Sequence, residues 1–84
     1  MLTHSEHRIT KGPSKAELLA AFANGSKVRF DLDGNVVAFA TIWGMRCNDS
    51  GRENWTLELK FGRRHFYGRY WIRRGRGDGR VYPR

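Results

Sequence analysis

Residues 54–61, Asn-Trp-Thr-Leu-Glu-Leu-Lys-Phe, alternate polar and apolar side chains at every position. An extended backbone puts successive side chains on opposite sides, so this period of two dictates a β-strand with one wet and one dry face. Such a strand is not stable alone. Its backbone groups need neighbours along both edges, and its dry face needs a cover. The rest of an 84-residue chain must supply both, which leaves room for one domain with a modest core.

Candidate neighbours lie on either side. Lys27-Val28-Arg29-Phe30-Asp31-Leu32 alternates in the same way, and Asp33-Gly34, with Asn35, has the residues of a tight hairpin turn. Val36 to Trp43 is apolar or small on both faces, so it is expected to be central, covered by a helix on one side and by a curled sheet on the other. Gly44 to Glu53, with Asn48-Asp49-Ser50-Gly51, reads as a loop. Gly62-Arg63-Arg64-His65 reads as a four-residue turn before a fourth strand, Phe66 to Arg73. That turn length places Phe61 opposite Phe66, Leu59 opposite Gly68, Leu57 opposite Tyr70 and Trp55 opposite Ile72, all on the dry face. The wet face then pairs Lys60 with Tyr67, Glu58 with Arg69, Thr56 with Trp71 and Asn54 with Arg73.

The helical cover is expected at Lys15 to Ala23. Ser14 and Glu17 have the spacing of a capping box, Leu18, Leu19 and Phe22 form a docking stripe, and Asn24-Gly25 is a stop signal. Residues 1–13 have no periodicity and read as a flexible arm. Residues 75–84 read as a flexible Arg/Gly-rich tail unless Val81-Tyr82 pairs as a fifth short strand. The expected fold is thus α+β: one compact domain over residues 14–74, with a short N-terminal helix packed on a four- to five-stranded, strongly twisted antiparallel sheet or small barrel.

Charge gives the functional lead. The chain carries a net +8, with 12 Arg and only 4 Lys, which favours planar multi-donor heads suited to phosphates and base edges. Residues 1–61 hold 8 cations and 7 anions, whereas residues 62–84 hold 8 Arg and a single Asp. On the last strand Tyr67, Arg69, Trp71 and Arg73 alternate on the wet face, offering π-surfaces for bases beside cations for phosphates. Arg63 and Arg64 stand on a hairpin tip, and Arg73, Arg74, Arg76 and Arg80 lie in the glycine-rich stretch. These nine residues are the expected nucleic-acid-binding set. Five or six phosphate contacts would give a slope of log K against log salt near about −4 to −5. A bland alternative pairs Glu58 with Arg69 and buries Trp71 beneath the arm or the tail.

Other chemistries find little support. No run of 18 or more apolar residues and no secretory leader are seen, so a cytoplasmic location without membrane insertion is the expectation. Cys47 is the only cysteine, which excludes an intrachain disulfide and a Cys-rich zinc site. His4 and His7 alone make no metal site, and Glu17, Asp31, Asp33, Asp49, Glu53 and Glu58 form no evident general acid–base pair. No nucleotide-binding glycine loop is present, and no cofactor is expected. The leading expectation is a small non-enzymatic protein that binds RNA or single strands. The alternative is a phage- or plasmid-type inhibitor that meets an acidic surface of a host nucleic-acid machine. A small RNase toxin, with Arg63, Arg64, His65, Tyr67 and Tyr70 as its cationic and aromatic site, ranks third.

Overall fold

Strands at both ends of the chain close the molecule. The computed structural model describes residues 2–48, 53–73 and 75–84. Its order is β1 (His7–Gly12), α1 (Lys15–Asn24), β2 (Lys27–Leu32), a single 3-10 turn (Asp33–Asn35), β3 (Val36–Cys47), β4 (Asn54–Phe61), β5 (Arg64–Arg73) and β6 (Arg76–Pro83). Each strand pairs antiparallel with the next, and β1 pairs with β6, giving a closed six-stranded barrel. Closure satisfies both edges that a four- or five-stranded sheet would leave bare.

The expected arm and tail are therefore corrected. His7–Gly12 and Arg76–Pro83 are the two strands that seal the barrel, with Ile9 opposite Gly79 and His7 opposite Val81. In the sequence, the alternate glycines of β6 read as flexibility. In the fold Gly77 faces inward because the interior there belongs to Tyr70: a Cβ on Gly77 would lie 2.2 Å from the Tyr70 ring, and one on Gly12 2.2 Å from its hydroxyl. Tyr70 is fully buried and its hydroxyl donates to the Pro13 carbonyl at 2.7 Å, which ties β5 to the segment joining β1 and α1. Around it Phe30, Phe61 and Phe66 meet edge to face at 5.5–6.0 Å, and Leu18, Leu57, Leu59 and Val81 complete the core.

The helix begins as expected. Ser14 Oγ accepts from the Glu17 amide and the Glu17 carboxylate accepts from the Ser14 amide, which holds that carboxyl below its ordinary range. Gly25 ends it in the left-handed conformation at φ 68°. Its buried face is different, however. Leu18 and Ala21 enter the core, while Leu19 and Phe22 face outward. The outer side of β3 stays partly open among the described residues: Val37, Phe39 and Trp43 there are 48%, 54% and 63% exposed.

The β4–β5 turn is two residues long, with Gly62 at φ 62° in its first position, as a tight hairpin requires. The register thus moves by two: Leu59 opposes Phe66, Leu57 opposes Gly68 and Trp55 opposes Tyr70. A shift of two preserves every inward and outward assignment but changes every partner. Among the described residues no helix is long and apolar enough to cross a membrane.

Candidate nucleic-acid interface

Strand alternation sorts the basic residues onto the outside of β5, β6 and β1. Arg8, Arg69 and Arg80 are exposed, and they occupy one row: Arg8 directly opposes Arg80, which directly opposes Arg69. Neighbouring strands lie about 4.8 Å apart, so three guanidinium-bearing positions are set side by side. The row continues through Thr56 on β4 to Arg46 on β3. Arg73 opposes Arg76 one row pair beyond. Directly opposed like charges destabilise a sheet by roughly 0.2–1 kcal/mol per pair.

Carboxylates relieve this row only at its middle. Glu6 bonds Arg80 at 2.7 Å. Glu58, expected beside Arg69, instead opposes Tyr67 and accepts from two of the three guanidinium nitrogens of Arg84, Nε and Nη2. Arg8, Arg69, Arg73 and Arg76 have no carboxylate within ion-pair distance among the described residues. Asp78, opposite Trp71, is the one acid on this face of β5 and β6.

Aromatic rings flank the row on both sides. Tyr67 and Tyr82 stack at 4.9 Å and 22°, and Arg84 lies 5.6 Å above Tyr67. Trp71, half-buried, stands on the other side. Together Arg8, Tyr67, Arg69, Trp71, Arg80 and Tyr82 line an open groove of about 780 Å³. A second hollow of about 440 Å³ shares Trp71 and Asp78 with it and adds Arg73 and Arg76. The two form one channel along β5 and β6, with planar surfaces between cations.

Of the nine expected residues, Tyr67, Arg69, Trp71, Arg73, Arg76 and Arg80 are thereby brought together. Arg63 and Arg64 are exposed on the β4–β5 tip, at the opposite end of a ten-residue strand from Arg73 and so roughly 30 Å from it. Arg74 lies outside the described residues, as do residues 49–52 of the loop expected over Gly44 to Glu53; the first four of that stretch, Gly44 to Cys47, instead extend β3. Arg8, Thr10 and Tyr82 join the groove unforeseen. The signal that could have found Tyr82 is the period of two in Arg76-Gly77-Asp78-Gly79-Arg80-Val81-Tyr82, which glycine hides; Arg8 and Thr10 join only through the pairing of β1 with β6.

One further arrangement near the N-terminus places Ser5, His7 and Asp33 in the order of a nucleophile relay. The His7 Nε2 lies 3.4 Å from Ser5 Oγ and its Nδ1 3.5 Å from Asp33. The same Nε2 is 3.1 Å from the Thr3 carbonyl and 3.2 Å from the Thr3 hydroxyl, so Ser5 is one of three groups sharing that nitrogen and not its dedicated partner. The contacts fasten residues 3–7 to the barrel. Among the described residues no three His, Cys, Asp or Glu side chains gather as metal ligands. No family model, characterised protein or solved structure matches the chain.

Proposed function

We propose that the protein binds single-stranded nucleic acid, RNA in the first instance, without cleaving it, along the channel on β5, β6 and β1. The observation that carries this reading is the Arg8–Arg80–Arg69 row with aromatic rings on both sides. A row of opposed guanidinium groups costs the free protein stability, and a phosphate backbone relieves it while Tyr67, Tyr82 and Trp71 take up bases. The rings line an open groove between cations, suited to splayed bases and not to a stacked duplex. No second helix is at hand to enter a major groove among the described residues.

The test is fluorescence anisotropy with labelled single-stranded RNA, single-stranded DNA and duplex DNA over a salt series. Tight single-strand binding that weakens steeply with salt, and falls by roughly 5- to 100-fold in Trp71→Ala, is expected. Equal affinity for duplex, or release of discrete RNA fragments, would overturn it.

A second reading is favoured by the bare outer side of β3. Val37 and Phe39 offer apolar contact that a nucleic-acid strand does not need, which suits an inhibitor of a larger acidic machine. Loss of a captured host protein in Phe39→Ser, with oligonucleotide affinity near zero in the parent chain, would decide for it.

A further inference from the structure

Trp43 is the most exposed large apolar side chain on the described surface, and it is held in place. It is the extra residue of a β-bulge: Ile42 opposes Leu59 and Gly44 opposes Glu58, which leaves Trp43 without a partner position on β4. Bulges re-aim side chains, and Gly44 beside it adds no side chain of its own. Three contacts then fix the indole. Its N–H donates to Thr41 Oγ1 at 3.1 Å, the Lys60 ammonium sits 5.3 Å from the ring, and His65 meets it at 5.7 Å with the planes at 77°. The polar edge is thus satisfied, while 63% of the residue stays open to solvent.

A hollow of about 550 Å³ lies against this ring. It is lined by Lys27, Thr41, Trp43 and Lys60, with Gly25, Ile42 and Gly62, and no carboxylate is among them. Lys27 opposes Thr41, and Thr41 opposes Lys60, so two ammonium groups flank one hydroxyl in a single row. A rigid π-face beside two cations and a hydroxyl matches one nucleotide: the base on Trp43, its phosphate between Lys27 and Lys60.

We infer that this hollow is a second nucleotide position for the same single strand, separate from the β5–β6 channel. The inference rests on the proposed single-strand binding and extends it from one channel to a path. Gly44 beside Trp43 is in register with Glu58 and Tyr67, so the two stacking sites are about 10 Å apart across β3, β4 and β5, a span that a few nucleotides bridge. Glu58 stands between them, but Arg84 neutralises it and leans over Tyr67, so the path meets no bare carboxylate there. From Arg73 to Tyr67 the channel runs about 20 Å along β5, which about four nucleotides fill, so a strand of that length lying in it stops short of Trp43. Affinity should therefore rise with length, and part of the rise should belong to this residue.

The experiment measures affinities of the full chain for oligouridine of about 4 and about 12 nucleotides. The parent protein is compared with Trp43→Ala, Trp43→Phe and Trp71→Ala, each checked for fold by circular dichroism. Trp43→Ala should lose roughly tenfold on the long strand and nothing on the short one, with Trp43→Phe recovering most of it. Trp71→Ala should weaken both. Uridine monophosphate serves as the free-nucleotide arm, and saturating Trp43 at the affinity of the long strand would make the hollow a mononucleotide site and overturn the path. Equal loss at both lengths, or none at either, would overturn it too. In those cases single-strand binding itself stands; absence of binding at both lengths by the parent protein removes both readings.

Discussion

Tyr70 shows how one side chain sets the demands on its neighbours. Its ring fills the barrel between Gly12 and Gly77, and its hydroxyl donates to the buried Pro13 carbonyl. Replacing it with Phe keeps the ring but strands that carbonyl, which should cost about 1–3 kcal/mol in urea denaturation. Gly77→Ala should cost more, since backbone or ring must move to admit a Cβ. Burial, then the charges of Asp78 and Glu17, push the Tyr70 phenol well above its ordinary value of 10.0. The native state thus keeps a proton that the unfolded chain releases above 10.0, so stability should be flat below that value and fall as pH rises past it. The fall should approach about 1.4 kcal/mol per pH unit, and urea midpoints at about pH 9 and about pH 11 should reveal it in the parent chain. Tyr70→Phe should show a flatter alkaline limb, and an equally steep one would assign the proton elsewhere.

Among the elements, β6 carries the largest difference between sequence and fold. The strands β2, β4 and β5 and the start of α1 were legible because each side chain's polarity reports its face, and Ser14 with Glu17 marks a helix start. In β6 the positions that should be large and apolar are Gly77 and Gly79, since Tyr70 of the adjacent strand occupies the space and the Arg69 carbonyl crowds the backbone. Local pattern cannot show a core supplied from the neighbour. The same limit explains β3, whose apolar outer side reads as covered although Phe39 is 54% exposed. Within the candidate site the aromatic–Arg alternation of β5 was legible, but the Arg8–Arg80–Arg69 row depends on barrel closure. Ending the chain at Arg73 would remove Val81 and open the sheet, so that truncation should abolish the thermal transition, not merely weaken binding. A gentler probe is Arg69→Gln. It removes one opposed like-charge contact, so it should stabilise the free protein by about 0.2–1 kcal/mol at low salt while weakening nucleic-acid binding. Loss of both together would mean that Arg69 supports the fold by a contact other than charge.

On the scale of the whole molecule, the net charge of +8 is unevenly placed. The outer face of β5, β6 and β1 gathers Arg8, Arg69, Arg73, Arg76 and Arg80. The outer face of β2 and β3 carries an Arg29–Asp31 pair at 2.8 Å beside Val37 and Phe39. A general attraction for polyanions and a built channel both give salt-dependent binding, so affinity alone does not separate them. The slope does. Each arginine that meets a phosphate of a single strand releases about 0.7 of a counterion, so five give a slope of log K against log salt near about −3.5, shallower than the about −4 to −5 that follows from the duplex value of about 0.9. Replacing Arg8 and Arg69 together should bring it to about −2, because two contacts vanish whatever the base sequence. Arg29→Gln removes the same unit of charge from the opposite face and should leave the slope where it was. If Arg29→Gln flattens the slope as much as Arg69→Gln does, the polyanion reads total charge, and the row across the closing strands has no special part in binding it.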